Sequence, residues 1–160
     1  MRAKKFEMRV KENRLPYLVT VGQTKISDEE RHETPRKIVD IIRYTYHAEK
    51  LPEEHVYLMA FDIKLHLIGL FELSHGAVNE SVLSPPQIMQ RLFLCGASVF
   101  CLVHNHPSGD VTPSIEDDRI TSRIAAASKI CGVEFCDHII IAGAHKTGYY
   151  SYRESSALLN

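Results

Sequence analysis

The stretch Ser98-Val99-Phe100-Cys101-Leu102-Val103-His104-Asn105-His106-Pro107-Ser108-Gly109 decides the fold. Ser98 to Val103 shows no alternation toward solvent, the mark of a central strand covered on both faces. The run then turns polar, and a loop from Asn105 to Pro113 follows where the buried strand ends. On the upstream side, Ser84-Pro85-Pro86-Gln87 reads as a capping box opening a helix. Ile88, Met89, Leu92 and Phe93 point inward along that helix, and Cys95-Gly96 ends it. On the downstream side, a helix runs from Ser114 to about Ile130, with Ile120, Ile124 and Ala127 inward and Gly132 as its stop.

The rest of the chain extends the same alternation of helices and strands. Tyr17 to Val21 forms a short strand and Ser27 to Glu33 a charged loop. Thr34-Pro35 starts a helix whose apolar stripe is Ile38, Ile41, Ile42 and Tyr46. Val56 to Phe61 and Leu65 to Leu73 are strands joined at Asp62-Ile63-Lys64, a hairpin that makes the sheet mixed. Val133 to Ile141 is a further strand, and Tyr149 to Tyr152 a last one. The pattern is that of an α/β or α+β sandwich.

The chain has 160 residues, a single-domain length, with 44% apolar and 24% charged residues. These values exclude a disordered chain, a collagen-like repeat and a disulfide mini-protein. No apolar run reaches the ~18 residues of a membrane span, and the N-terminus lacks a secretory core, so we expect a cytoplasmic protein without membrane contact. The formal net charge of −1 gives no global attraction to nucleic acid. Cys95, Cys101, Cys131 and Cys136 lack metal-ligand spacing and read as reduced, buried thiols. Residues 1–33 read as a basic arm and loop ahead of the globular core. Within them Arg2, Lys4, Lys5, Arg9, Lys11 and Arg14 face only Glu7 and Glu12. A solvated arm or edge strand is the first reading, and a weak nucleic-acid contact the second.

Chemistry concentrates at the end of the buried strand. Alternate side chains of an extended chain share a face, so His104 and His106 point the same way and can converge on one metal ion. Asp117, in the first turn of the next helix, can bring a carboxylate to the same point. Two histidines and one carboxylate leave a position open for water, as catalytic rather than structural zinc sites do. Ser114 and Asp117 also form a plain capping pair, and His-x-His alone carries little weight. The coincidence of strand end, Pro/Gly-shaped loop and helix start favours the metal. His138 has two readings: an orienting hydrogen bond to a ligand, or, more commonly for such a residue, a satisfied and partly buried histidine. The other histidines show no ligand spacing. Ser74-His75-Gly76 and Asn79 read most simply as a turn, and Tyr149, Tyr150 and Tyr152 as a half-buried strand.

The spacing His104-x-His106-x7-Ser114-x2-Asp117 matches the JAMM motif of the Jab/MPN metallopeptidases. His104-Asn105-His106-Pro107-Ser108-Gly109 and Asp137-His138-Ile139-Ile140 resemble its RadC branch, long labelled DNA-repair proteins. The likeness covers roughly residues 51–152. It implies one domain over 1–160, a three-layer α/β/α sandwich around a mixed sheet, of the Jab/MPN, cytidine-deaminase-like type. RadC proteins usually carry an N-terminal helix-hairpin-helix region, for which this chain leaves no room. The resemblance further implies Zn2+ held by His104, His106 and Asp117, with Ser114 beside the activated water as oxyanion stabiliser. An upstream glutamate takes the proton of that water. Glu54, just before the strand from Val56, has the matching position, with Glu53 and Glu80 as competitors.

The implied activity is zinc-dependent hydrolysis of an amide in a peptide or isopeptide-linked protein. The alternatives are a DNA-repair nuclease or DNA binder using the same metal site, and an inactive scaffold.

Overall fold

The computed structural model describes residues 2–26, 34–76 and 83–159. Seven strands form one mixed sheet in the order β2-β1-β4-β3-β5-β6-β7. They are β1 (Arg2–Val10), β2 (Pro16–Lys25), β3 (His55–Phe61), β4 (Leu67–His75), β5 (Val99–His106), β6 (Glu134–Ala142) and β7 (Tyr149–Ser151). The helices are α1 (Pro35–Tyr46), α2 (Pro85–Cys95), α3 (Ile115–Cys131) and the short α4 (Tyr152–Ser155). β5 runs parallel to β6 and antiparallel to β3, so the sheet is mixed at its centre.

Alternation along the central strands builds two cores. Tyr57, Met59, Phe61, Cys101 and Val103 face Ile38, Val39, Ile41 and Ile42 of α1. Val56, Leu58, Ala60, Phe100 and Leu102 face Ile88, Met89 and Leu92 of α2 and Ile120 and Ile124 of α3. The result is the three-layer α/β/α sandwich. β5 is buried along its whole length apart from His106, which is partly buried. That burial on both faces is why the strand reads as a continuous apolar run.

Several local expectations change. Ser84 stands at the N-cap of α2, but its side chain makes no capping bond. A cap oxygen normally accepts from the second or third N–H of the helix. Pro86 has none, and the Gln87 N–H is bonded to the Ser84 carbonyl at 3.0 Å. Phe93 points outward and is 57% exposed. β5 continues through Asn105 and His106, so the loop begins at Pro107 rather than Asn105. The β3–β4 connection takes in Leu65 and His66, with the amides of Lys64 and His66 both donating to Asp62 Oδ1. Tyr152 opens α4 instead of ending the last strand.

The basic N-terminal stretch is built into the sheet as the β1–β2 hairpin, not held ahead of it as an arm. A lysine can enter the sheet because its charge is met there. Lys5 Nζ donates to the Thr45 carbonyl at 3.0 Å and lies 4.3 Å from the Tyr46 ring, at the C-terminal end of α1 where a cation is favoured. The loop expected over residues 27–33, together with Asn79 and Glu80, lies outside the described residues. Among the described residues, no helix is long and apolar enough to cross a membrane.

Candidate metal centre

β5 delivers His104 and His106 to the face covered by α3, and α3 delivers Asp117 from its first turn. Ser114 caps that helix: its Oγ accepts from the Asp117 N–H at 3.1 Å, and its own N–H donates to Asp117 Oδ2 at 2.8 Å. Its hydroxyl also donates to Oδ2, at 2.6 Å. The capping reading and the ligand reading therefore describe one arrangement. Two donors occupy Oδ2, which also faces His106, and Oδ1 is turned to His104.

The three candidate ligands converge. His104 Nε2 lies 3.0 Å from His106 Nε2 and 3.2 Å from Asp117 Oδ1, and His106 Nε2 lies 3.6 Å from Asp117 Oδ2. His104 and Asp117 are buried, and His106 is partly buried. Ligands of a tetrahedral zinc ion, at bonds of about 2.0–2.1 Å, stand roughly 3.4 Å apart. The observed spacings bracket that value.

Hydrogen bonds fix which nitrogen of each ring carries the proton. The Asp117 carbonyl can only accept, so Thr121 Oγ donates to it at 2.6 Å. Thr121 Oγ must then accept from His138 Nδ1, also at 2.6 Å. His138 Nε2 is left to accept from His104 Nδ1 at 2.9 Å, which leaves His104 Nε2 with a lone pair. His106 reaches the same state, since its Nδ1 donates to the Asp110 carbonyl at 2.7 Å. Two lone pairs and a carboxylate thus share one small space, where only a cation or a proton satisfies them.

The electrostatics agree. Burial, reinforced by His138 and His106, holds the His104 imidazole well below its usual range despite Asp117. For His106 burial acts downward, but bonds to Asp117 and Asp110 and the charge of Glu54 prevail and raise it. Burial opposes ionisation of Asp117. Whenever the histidine pair takes up a proton, the bond to His106 and the charge of His104, together with the two Ser114 donors, outweigh that burial and hold the Asp117 carboxyl far below its ordinary range. His138 is pushed down to about 4, chiefly by burial, so it stays neutral at physiological pH.

Glu54 precedes β3. The β3–β5 register ends at Val56↔His104, which leaves Glu54 two residues beyond it at the end of the sheet where His106 lies. Its charge is felt by the His106 ring. Glu53 is turned elsewhere, with its carboxylate 3.9 Å from His75 Nδ1. His138 is satisfied at both ring nitrogens and fully rather than partly buried, and one of its partners is His104, as the orienting reading requires. Thr121 and Asn105 escaped the sequence reading. The available signal for Thr121 was its place one helical turn after Asp117.

A mixed sheet between helices, with a His-x-His strand end and a capped aspartate converging in its interior, defines a JAB-type α/β domain. The RadC-like JAB domain family matches residues 32–157. A UPF0758 protein of Thermotoga maritima is 36% identical over 132 residues, covering 81% of this chain and 58% of that protein. UPF0758 proteins of Chlorobium phaeovibrioides (33%, 72% of this chain, 52% of that one) and Alkaliphilus metalliredigens (38%, 68% and 45%) are similar. The chain belongs to the RadC-like JAB domain family. It spans about half the length of these curated relatives, and the β1–β2 hairpin lies outside the residues 32–157 that the family matches.

Proposed function

We propose that the protein is a zinc-dependent hydrolase of amide bonds, acting on a peptide or an isopeptide-linked protein. The observation that carries this reading is the convergence of two imidazoles and a carboxylate at near-tetrahedral spacing, close enough to Glu54 for its charge to act on His106. His104, His106 and Asp117 would hold the ion. Zinc bound there supplies Lewis acidity, which brings water's pKa from ~16 toward ~7 and polarises a carbonyl.

The chain's own groups do the rest. Glu54 accepts a proton from the attacking water and returns it to the leaving nitrogen. Ser114 Oγ holds Asp117 and, on rotating its hydroxyl toward the reacting carbonyl, adds a donor for the developing oxyanion. His138 and Thr121 keep His104 in the tautomer that exposes Nε2. We place the protein in the cytoplasm, where an exposed thiol such as that of Cys131 stays reduced.

A screen of peptides and isopeptides with the zinc-loaded chain tests the reading, with Glu54→Gln as control. Hydrolysis reduced at least ~100-fold by Glu54→Gln, with zinc retained, is the expected result. Undiminished turnover in that variant removes Glu54 from the chemistry.

A second reading rests on the β1–β2 hairpin, where seven Lys and Arg side chains face only Glu7 and Glu12. Its tip lies at the same end of the sheet as the histidines, and contact with nucleic acid would use it. Steeply salt-dependent DNA binding that is lost on neutralising Arg9, Lys11 and Arg14 would support this use.

A further inference from the structure

Asn105 stands between the two histidines whose lone pairs converge, yet alternation along β5 turns it to the opposite face of the sheet. Its side chain is fully buried, where an amide must satisfy both its ends. Its partners are the main-chain groups on either side of Glu54. Oδ1 accepts from the His55 N–H at 2.8 Å, and Nδ2 donates to the Glu53 carbonyl at 2.9 Å. From the other flank, the Gly76 N–H donates to the Glu54 carbonyl at 2.9 Å.

Paired residues of β3 and β5 end at Val56↔His104. Beyond that rung the Asn105 carboxamide continues the connection, because it offers one donor and one acceptor as a peptide group does.

We propose that Asn105 is a positioning residue for Glu54, fixing the carboxylate relative to the ligand histidines through the backbone of residues 53–55. The inference rests on the reading of Glu54 as proton acceptor. His104, Asn105 and His106 then set ligands and acceptor from three consecutive residues, and the distance between them is held by β5 rather than by a loop. An alanine at 105 forms neither bond. An aspartate keeps the acceptor for His55 but turns lone pairs against the Glu53 carbonyl.

The test uses the full chain loaded with Co2+, whose visible spectrum changes as the coordinated solvent ionises, and needs no substrate. Midpoints of that change with pH are compared for wild type, Glu54→Gln, Asn105→Ala and the double variant, at equal metal content. We expect Asn105→Ala to move the midpoint in the same direction as Glu54→Gln, by about half a pH unit or more. In the Glu54→Gln background it should add nothing, since it acts only through that carboxylate. A wild-type midpoint in Asn105→Ala, with Glu54→Gln displaced, overturns the role of Asn105 and leaves that of Glu54 standing. Additive shifts overturn it too. An unmoved midpoint in Glu54→Gln sinks the assignment of Glu54 and this inference with it. Should Asn105→Ala fail to fold, hydrogen exchange in the wild-type chain decides. A His55 amide as slow as that of Leu58 supports the pinning, and rapid exchange contradicts it.

Discussion

His138 Nε2 lies 2.9 Å from His104 Nδ1, so one candidate ligand histidine is oriented by another histidine. Thr121 carries the chain onward to the Asp117 carbonyl. Strand β5, strand β6 and helix α3 are therefore tied together by one line of protons that ends on the helix bearing the third ligand.

His138→Gln and Thr121→Val break that line. Each should weaken zinc binding by about 10–100-fold, the usual effect of losing the group that orients a ligand histidine. Chelator competition measures it directly. Wild-type affinity in both variants would leave His138 as packing against Tyr152, whose ring stacks on it at 5.3 Å.

The depressed His138 gives the metal-free protein an acid-sensitive core. An unfolded histidine binds its proton near pH 6.5, whereas His138 in the fold does so only at about 4. The unfolded state then holds more protons within that window, so stability is lost as pH falls through it, by about 3 kcal/mol at most. Urea unfolding of the metal-free chain at pH 7, 5.5 and 4.5 should show the decline, and His138→Gln should make it shallower, the depressed His104 keeping its own share. An equal slope in that variant assigns the loss to other groups.

Ser114→Ala removes a helix cap and both contacts that its side chain makes at Asp117. We expect about 1 kcal/mol of lost stability in the metal-free chain, together with weaker zinc binding because Oδ2 keeps only the backbone donor. Asp117→Asn should cost a comparable amount of stability yet abolish zinc binding. If both variants bind zinc as the wild type does, Asp117 is a cap and nothing more.

Gly109 sits at φ +75°, and a Cβ there would come within 2.8 Å of the Lys146 side chain. Gly109→Ala should strain the turn by about 1 kcal/mol and shift the Asp110 carbonyl from His106 Nδ1. Faster zinc release in stopped-flow chelation is the expected consequence. An unchanged rate would show that the loop does not govern His106.

The central strand, the three long helices and the candidate metal triad were legible because each rests on local pattern. β5 has no polar face, α1 and α3 carry their own caps, and His104 and His106 share a side by alternation. What escaped is set by pairing between distant segments. Asn105 looks like loop polarity until β3 lies beside it, and Thr121 like an ordinary helix residue until His138 arrives from β6. The Lys/Arg-rich start reads as either a solvated arm or an edge strand, and what decides for the strand, the groups that accept Lys5, lies forty residues away on α1. Phe93 fits the apolar stripe of α2, but only Ile88, Met89 and Leu92 of that stripe are buried.

Metal stoichiometry after zinc reconstitution and dialysis, for wild type and a His104→Ala/His106→Ala double variant, is the most direct test of the central claim. About one zinc per chain in the wild type and none in the double variant is the result predicted from the converging lone pairs. A wild-type chain that retains no zinc, or a double variant that retains as much, would contradict the metal centre and the hydrolytic reading built on it.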